Sequence, residues 1–290
     1  MFKTKQITKD RGKLFFEKTM DWQCPHPKDE ESLVNFSCPL LNEKLGPAFR
    51  PGNLIELFGE AGSAKTQFCL HLALQTIRRG GSGIVLYIAT ERPFATKRIY
   101  QMIRYSGLDE DLLDRIITKT AWESAQFLTL IESQIMEVSK VFKLDLIIVD
   151  SIAGPLRSEF EKDKKFARSK QIHQIGFRLN QLARTLKIPV LVCNQVTAVI
   201  DQKQTNFGRN VLPCFGLSWS TYVHSRIFLH RTHLTIQCGS DNLPSSSASK
   251  NVKVETRVRE AIVDFSPVLP NSITKFIVDD AGIRGVQIKD

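Results

Sequence analysis

A glycine-containing loop at residues 59–66 constrains the fold of this chain more than any other feature of its sequence. The loop has the sequence Gly-Glu-Ala-Gly-Ser-Ala-Lys-Thr, follows an apolar run at 54–58 and precedes a helical pattern that opens at Gln67. In such a loop, backbone N–H groups and the positive end of the helix cradle phosphates, a lysine reaches the terminal phosphates, and a Ser/Thr hydroxyl holds magnesium. The order of strand, loop and helix therefore predicts a nucleotide-phosphate site.

The loop residues have distinct predicted roles. Lys65 is expected to contact the terminal phosphates, and the Thr66 hydroxyl is expected to hold the metal. Ala64 stands where the motif has glycine, so its methyl group is tolerated only if the backbone there is open to L-residues and leaves room for phosphates. The alternative is a glycine-rich turn that only joins a strand to a helix. The residues predicted to line the site are Gly59, Glu60, Ala61, Gly62, Ser63, Ala64, Lys65, Thr66 and Gln67.

Alternating apolar runs and helical periods predict the fold class. Short, nearly continuous apolar runs predict strands at 54–58, 84–89, 146–149 and 190–193. Between these runs, apolar residues recur at intervals of three and four over 128–142 and 172–186, as on the buried faces of amphipathic helices; the first repeat ends with Phe142. In a chain of 290 residues this order predicts an α/β fold with a mostly parallel, twisted sheet flanked by helices.

The two ends of the chain differ from this middle part. Residues 1–37 are polar and charged with scattered aromatic residues, which predicts an N-terminal arm or linker before a core at 38–290. After about residue 220 the pattern changes to short runs typical of antiparallel strands that extend the sheet. These C-terminal strands are predicted at 226–229, 253–259, 261–265 and 274–278.

Composition limits the classes of function. Forty Lys and Arg against thirty Asp and Glu leave a formal net charge of +10, which favours a polyanionic partner, nucleic acid before membrane, although solvated lysines could supply part of it. The six cysteines lack the spacing of a zinc site, so all six are expected to be reduced thiols of an intracellular protein. No apolar stretch reaches the length of a membrane span, so no membrane partner is expected.

Two carboxylates follow predicted strands. Asp150 comes directly after the run at 146–149, at the edge of an open α/β sheet where ligands bind, and can hold the water shell of a magnesium ion; its alternative role is a helix N-cap. Glu91 ends the run that begins at Ile84, where it is a candidate general base for an attacking water; its alternative role is a solvated loop residue.

A polar pair and two basic segments complete the candidate site. Gln195, with Asn194 before it, follows the run at 190–193, and its amide can hydrogen-bond a terminal phosphate. The segment after it contains Lys203 and Arg209 and suits contact with a DNA backbone, a solvated surface loop being the alternative. A second basic segment at 157–170 also contains acidic residues, so a mixed charged face is nearly as good an interpretation as a nucleic-acid patch.

The order of four features along the chain resembles the RecA/RadA family of recombinase ATPases. These features are the phosphate loop, Glu91 after the second predicted strand, Asp150 after the third, and Asn194-Gln195 after the fourth. Several stretches resemble one branch of this family, the eukaryotic recombinase paralogues, from about Cys38 to the C-terminus. These stretches are Tyr-Ile-Ala-Thr-Glu at 87–91, Val-Asp-Ser-Ile-Ala at 149–153, Asn-Gln-Val-Thr at 194–197, Leu-Ser-Trp at 217–219 and Phe-Ser-Pro at 265–267.

The resemblance implies a RecA-like ATPase core that binds ATP and Mg2+. It implies that Thr66 and Asp150 hold the metal, that Glu91 positions the attacking water, and that Gln195 senses the terminal phosphate. It further implies that Arg98 stacks on adenine and that the first DNA-facing loop contains Arg157, the second containing Lys203 and Arg209. Residues of a cap over the nucleotide of a neighbouring subunit are implied at Ser266, Pro267 and Pro270.

Three departures from the family pattern shape the functional expectation. Ala64 replaces the motif glycine, Arg92-Pro93 stiffen the loop after Glu91, and Phe265 takes a cap position that is often Asp. They favour an accessory subunit of a heteromeric paralogue complex that assists recombinase filaments in double-strand-break repair. The alternatives are an autonomous DNA-stimulated ATPase that exchanges strands, and a scaffold that no longer needs nucleotide; whether ATP is hydrolysed is left open.

The implied role also defines partners and location. The expected partners are another recombinase paralogue of the same fold, in a heterodimer or larger complex, a recombinase filament, and single-stranded or branched DNA. The expected location is the nucleus, with a cytoplasmic pool also allowed.

Overall fold

The computed structural model describes residues 34–157, 165–198, 211–238 and 254–288. Most elements follow the apolar runs and helical periods of the sequence. The α-helices are α1 (Pro39–Leu45), α2 (Lys65–Arg78), α3 (Thr96–Tyr105), α4 (Ser124–Thr129), α5 (Ile135–Val141), α6 (Ala153–Arg157), α7 (Lys165–Leu186) and α8 (Gly216–Ser220). The strands are β1 (Leu54–Phe58), β2 (Ile84–Ala89), β3 (Ile116–Thr120), β4 (Leu144–Asp150), β5 (Val190–Asn194), β6 (Val196–Ala198), β7 (Val211–Pro213), β8 (Ser225–Cys238), β9 (Val254–Phe265), β10 (Ile273–Asp279) and β11 (Gly282–Gly285).

Nine of these strands form one sheet in the order β11-β10-β9-β8-β1-β5-β4-β2-β3. From β3 to β8 the neighbouring strands are parallel, and from β8 to β11 they are antiparallel. Strands β6 and β7 form a separate antiparallel ribbon. The carboxyl ends of β1, β2, β4 and β5 consequently lie along one edge of the sheet, where open α/β sheets bind ligands.

Alternate residues of the central strands pack into two hydrophobic layers, one on each face of the sheet. Ile55 and Leu57 of β1 pack with α2 on one face, whereas Leu54 packs with α7 on the other. This alternation follows from the two-residue period of a strand. Helices on both faces explain why the central strands are apolar on both sides, with all six residues of β2 buried.

The predicted α/β class, with a mostly parallel sheet and antiparallel strands near the C-terminus, is confirmed. Four details differ. Strand β8 pairs parallel with β1 as well as antiparallel with β9, the runs at 253–259 and 261–265 are one continuous strand, and β3, β6, β7 and β11 were not anticipated. The predicted helix over 128–142 is interrupted by a π-helical turn at Leu130–Gln134, and Phe142 is exposed because α5 ends at Val141.

The aromatic packing of the core begins before the predicted boundary at residue 38. Phe36 is fully buried, and its ring makes edge contacts with Phe49 and Phe68, each at a centroid distance of 5.4 Å. The division into an arm at 1–37 and a core at 38–290 stays a prediction, because residues 1–33 lie outside the described ranges. In the described ranges no helix combines the length and apolarity needed to span a membrane.

The four cysteines whose side chains are described carry free thiols; they are Cys38, Cys69, Cys193 and Cys214. The Cys69 and Cys193 sulfurs lie 3.2 Å apart between α2 and β5. Burial raises the pKa of the Cys69 thiol. The pKa of the Cys193 thiol is raised mainly by its hydrogen bond with Cys69 and in addition by burial. Both thiols therefore stay protonated and act as packing groups.

Candidate nucleotide site at the carboxyl edge of the sheet

The predicted phosphate loop joins the end of β1 to α2 and closes tightly on itself. Lys65 Nζ donates to the carbonyl oxygens of Gly59 at 2.6 Å and Glu60 at 2.9 Å. A Cβ on Gly59 would lie 2.3 Å from the carbonyl oxygen of Leu229, so only glycine fits there. The Ser63 hydroxyl is buried and has no hydrogen-bond partner within the described residues. A bound phosphate would supply an acceptor for that orphaned donor.

Ala64 has left-handed backbone torsions, φ +84° and ψ +21°, immediately before α2 begins at Lys65. Steric contact of Cβ with the following carbonyl makes this conformation costly for alanine and nearly free for glycine. The backbone at Ala64 therefore lies in a region that favours glycine, and the methyl group is accommodated there only with strain. Because the loop imposes this geometry, the chain tolerates strain at the position where the motif has glycine.

A carboxylate from β4 meets the loop threonine. Thr66 Oγ1 donates to Asp150 Oδ2 at 2.8 Å, and Tyr87 Oη donates to the same oxygen at 2.8 Å. These groups fit Mg2+, which prefers hard oxygen ligands and takes its remaining ligands from phosphates and water. In the described part of the chain no group of three or more His, Cys, Asp or Glu could hold a metal by itself.

Glu91 and Gln195 also meet at this edge. The Glu91 carboxylate accepts hydrogen bonds from Gln195 Nε2 and from Ser151 Oγ, the latter at 2.8 Å, both on oxygen Oε1. Ser151 is held by Thr90, whose hydroxyl accepts from the Ser151 N–H at 2.7 Å and donates to its carbonyl oxygen. The predicted base and the predicted phosphate sensor are thus in direct contact, through residues that follow β2, β4 and β5.

Arg98 of α3 lies beside α2, the helix that follows the phosphate loop. Its Nε donates to Gln67 Oε1 at 2.7 Å, its Nη1 donates to Gln101 Oε1 at 2.7 Å, and its Nη2 donates to the carbonyl oxygen of Asp279 at 2.5 Å. The guanidinium therefore joins α2, α3 and the end of β10. Stacking on adenine uses the face of the guanidinium rather than these edge donors, so that role stays a prediction.

The predicted cap lies away from the loop. Ser266 follows β9, and its hydroxyl accepts from the N–H groups of Val268 and Leu269 and lies 2.9 Å from Ser225 Oγ. Ser225 pairs with Ile55, near the start of β1, whereas the phosphate loop follows the end of β1. Ser266, and with it Pro267 and Pro270, is therefore at the opposite edge of the sheet from Lys65 of the same chain.

The predicted DNA contacts are only partly covered by the structure. Arg157 is the last residue of α6, and its side chain lies outside the description. Lys203 and Arg209 lie in the segment 199–210, also outside the described residues. All three assignments stay predictions.

The sequence model of the Rad51 family matches residues 33–236, which include the phosphate loop, Glu91, Asp150 and Gln195. The chain belongs to the Rad51 family. The DNA repair protein XRCC3 homolog of Arabidopsis thaliana is 30% identical over 285 residues, covering 86% of this chain and 92% of the relative. The DNA repair protein XRCC3 of Mus musculus is 30% identical over 280 residues, covering 89% and 76%. The predicted recombinase family and paralogue branch are both confirmed.

A more distant relative matches only part of the chain. The DNA repair and recombination protein RadA of Metallosphaera sedula is 33% identical over 167 residues, covering 56% of this Rad51-family chain and 52% of the relative.

Two groups of functional interest were missed from the sequence. Tyr87 was part of a family stretch but had no assigned role; the signal was a phenol in an otherwise apolar strand, two residues before the end of β2. Burial raises the pKa of Tyr87 well above its usual value, and the negative charge of Asp150 raises it further. The phenol of this Rad51-family member therefore stays protonated and donates to Asp150.

The second missed group is a buried ion-pair network behind the sensor. Glu56 is fully buried in β1 and accepts from Asn194 Nδ2 at 2.6 Å, Trp219 Nε1 at 2.9 Å and Arg226 Nε at 2.5 Å. Asn194 in turn accepts from the Gln195 backbone N–H at 2.7 Å. The sequence signal was a single acidic residue inside the apolar run at 54–58.

Proposed function

We propose that this chain is an ATP-binding recombinase paralogue that serves homologous-recombination repair of DNA double-strand breaks as an accessory subunit. The partner would be another paralogue of the same fold, and the complex would assist recombinase filaments. The observation that carries the proposal is the 2.8 Å hydrogen bond from Thr66 to Asp150, which joins the phosphate loop to the end of β4. It brings the two predicted metal ligands together beside Lys65.

ATP and Mg2+ fit this site through groups of known chemistry. The loop offers phosphate three kinds of donor: backbone N–H groups at a helix start, the lysine ammonium, and the Ser63 hydroxyl, which has no hydrogen-bond partner among the described residues. Mg2+ supplies charge neutralisation between the phosphates when it is bound. Thr66 and Asp150 would hold it, and Tyr87 would orient the Asp150 carboxylate.

The surroundings of Glu91 support an accessory role. One of its carboxylate oxygens accepts from both Ser151 and Gln195, so the group that would position water is engaged in the isolated chain. The cap residues lie at the opposite edge of the sheet, so capping of this nucleotide requires a neighbouring subunit. We therefore expect slow hydrolysis by the isolated chain.

The remaining parts of the proposal rest on composition and relatives. The net charge of +10 supports contact with DNA, for which Arg157, Lys203 and Arg209 are the proposed residues. The relatives named DNA repair proteins support action in the nucleus.

Equilibrium ATP binding with Mg2+ tests the proposal on the wild type, Lys65→Ala and Lys140→Ala. Lys140 is an exposed lysine on α5 and serves as the matched control. We expect binding that Lys65→Ala abolishes and Lys140→Ala retains, with little turnover on single-stranded DNA until a second paralogue is added.

Two other outcomes correspond to the alternatives. Rapid DNA-stimulated turnover by the isolated chain would favour an autonomous recombinase. Absence of ATP binding by the wild type, alone and with a second paralogue, would favour a nucleotide-independent scaffold, for which the strained Ala64 is the structural argument.

A further inference from the structure

The backbone of Gln195 is fixed by hydrogen bonds on both sides. Its N–H donates to Asn194 Oδ1 at 2.7 Å, and its carbonyl oxygen accepts from the Cys214 N–H at 2.9 Å. Asn194 is fully buried at the end of β5. A side chain that binds a ligand is placed accurately only when neighbouring groups hold it. The position of the proposed phosphate sensor therefore depends on how the Asn194 amide is held.

Glu56 determines which end of the Asn194 amide faces Gln195. Asn194 Nδ2 donates to Glu56 Oε1 at 2.6 Å and to the carbonyl oxygen of Cys214 at 3.0 Å. A carboxylate only accepts hydrogen bonds, whereas an amide has an accepting oxygen and a donating nitrogen. The amide nitrogen therefore has to point at Glu56, which leaves Oδ1 to accept from the Gln195 N–H.

The Glu56 carboxylate is itself held by two further donors. Trp219 Nε1 of α8 donates to Oε1 at 2.9 Å, and Arg226 Nε of β8 donates to Oε2 at 2.5 Å. An apolar pair of similar volume is often as stable as a buried ion pair, so stability alone does not account for a carboxylate at this position. An apolar side chain could not orient the Asn194 amide.

Glu56 also connects the sensor to the phosphate loop. It lies in β1, which leads directly into the loop at Gly59. Strand β1 pairs in parallel with β5, and Phe58 lies opposite Asn194. The loop and the sensor therefore leave adjacent strands at the same edge, and the bond from Asn194 to Glu56 joins these strands just behind them. A shift of the Asn194 amide would move Gln195 relative to the phosphates that the loop holds.

We propose that Glu56 is a positioning residue that sets the preference of this site for a nucleoside triphosphate over a diphosphate. It acts on Gln195 through Asn194, while Trp219 and Arg226 hold its carboxylate in place. The inference rests on the proposed function for the contact between Gln195 and the terminal phosphate, and it adds the residues that place this contact. Because a diphosphate lacks the terminal phosphate, displacement of Gln195 weakens ATP binding and leaves ADP binding unchanged.

Equilibrium binding of ATP and of ADP, each with Mg2+, tests the inference through the ratio of the ADP to the ATP dissociation constant. Glu56→Gln keeps the shape of the side chain but gives it a donor as well as an acceptor. Gln195→Ala removes the sensor, and a double variant combines the two changes. Trp219→Phe removes one donor to Glu56 and keeps an aromatic ring, so it tests the network independently. Leu179→Ala is the control, because Leu179 is fully buried in the same hydrophobic layer as Trp219 and its side chain forms no hydrogen bond.

The expected changes follow from the loss of one hydrogen bond to a charged group, which corresponds to roughly 10- to 100-fold in affinity. We expect Gln195→Ala to lower the ratio by about tenfold or more and Glu56→Gln to lower it several-fold. The double variant should show no larger loss than Gln195→Ala, because the two residues act as one unit. Trp219→Phe should lower the ratio by less than Glu56→Gln. Leu179→Ala should lower the free energy of unfolding and keep the wild-type ratio.

Several outcomes would overturn the inference. One is an unchanged ratio in Glu56→Gln, or in Trp219→Phe if only that variant folds. Equal weakening of ATP and ADP binding is another, because Glu56 would then only stabilise the fold. Additive losses in the double variant would mean that Glu56 does not act through Gln195.

The wild type separates this inference from the proposed function. A wild type that binds ATP no better than ADP overturns the inference and leaves the nucleotide site intact. A wild type that binds neither nucleotide, alone and with a second paralogue, contradicts the proposed function and the inference with it.

Discussion

Ala64 shows how a single backbone torsion limits the phosphate loop. Its φ of +84° costs an L-residue about 1 kcal/mol or more, a penalty that glycine avoids. Glycine also gains freedom in the unfolded chain, which offsets part of this difference. We therefore expect Ala64→Gly to raise the free energy of unfolding by about 0.5–1 kcal/mol, measured by urea denaturation.

The same substitution in an ordinary helical position supplies the control. Ala125 is exposed on α4, so Ala125→Gly should lower the free energy of unfolding by up to about 1 kcal/mol. Each substitution removes one methyl group, but the two should change the free energy of unfolding in opposite directions. Destabilisation by Ala64→Gly would contradict the strain described for this loop.

Tyr87 illustrates a residue that acts through another side chain. Tyr87→Phe keeps the ring, which contacts Phe94 edge-on at a centroid distance of 4.9 Å, and removes only the donor to Asp150. Loss of a hydrogen bond to a charged group should lower the free energy of unfolding by about 2 kcal/mol. Of the two described donors to Asp150 Oδ2, only Thr66 then remains, so half-maximal ATP binding should require a several-fold higher Mg2+ concentration.

The Mg2+ requirement is what distinguishes positioning from simple packing. Tyr100 on α3 is 37% exposed, so Tyr100→Phe should leave both stability and Mg2+ dependence unchanged. A Tyr87→Phe protein with lower stability but the wild-type Mg2+ requirement would assign Tyr87 to the core only.

At the level of elements, Glu56 joins β1 to β5, α8 and β8. Its ion pair with Arg226 is nearly dry, with side-chain exposures of 0% and 13%, so Arg226→Ala would leave a buried carboxylate without its charged partner. We expect a loss of about 3–5 kcal/mol in the free energy of unfolding. The control is Arg178→Ala, whose pair with Glu132 is 3.7 Å long and exposed, and which should cost less than about 1 kcal/mol. Equal effects of the two variants would refute this ranking.

The elements also show what the sequence can and cannot predict. Apolar runs located β1, β2, β4 and β5, and polar residues directly after them located Glu91, Asp150 and Gln195 at one edge. Strand β3 was missed because its exposed Thr-Lys-Thr end carries no apolar run. A local sequence pattern also cannot predict which residues of two distant strands are paired in the sheet. The parallel pairing of β8 with β1 and the opposition of Arg231 to Arg259 depend on strands that are distant in sequence.

At the scale of the whole molecule, the predicted phosphate loop and the predicted cap lie at opposite edges of the sheet. Lys65 and Asp150 lie at the carboxyl edge of the sheet, and Ser266 lies near its amino edge. Because the sheet separates them, the predicted cap residues do not reach the phosphate loop of their own chain. This separation is consistent with the proposal that the cap covers the nucleotide of a neighbouring subunit.

The ends of the described chain meet on a buried histidine, which makes global stability depend on pH. His71 of α2 lies with Nε2 3.0 Å from the carbonyl oxygen of Phe36, and its Nδ1 accepts from the N–H of Ile283 at 3.2 Å. Only the neutral ring can accept at Nδ1 while donating at Nε2. Burial lowers the pKa of His71 below its usual 6.5.

Because the unfolded chain takes up this proton near pH 6.5 and the folded chain does not, His71 favours folding above that pH, and the stability is lost as the pH falls. While the folded ring stays neutral, the free energy of unfolding should fall by about 1.4 kcal/mol per pH unit from this one proton. Half-buried His224, whose pKa burial also lowers, adds to the slope. Denaturation between about pH 8 and pH 5 should show a shallower dependence for His71→Gln, by one proton, than for wild type or for His233→Gln at an exposed site. Equal slopes in all three proteins would mean that a neutral His71 does not hold the segments that contain Phe36 and Ile283.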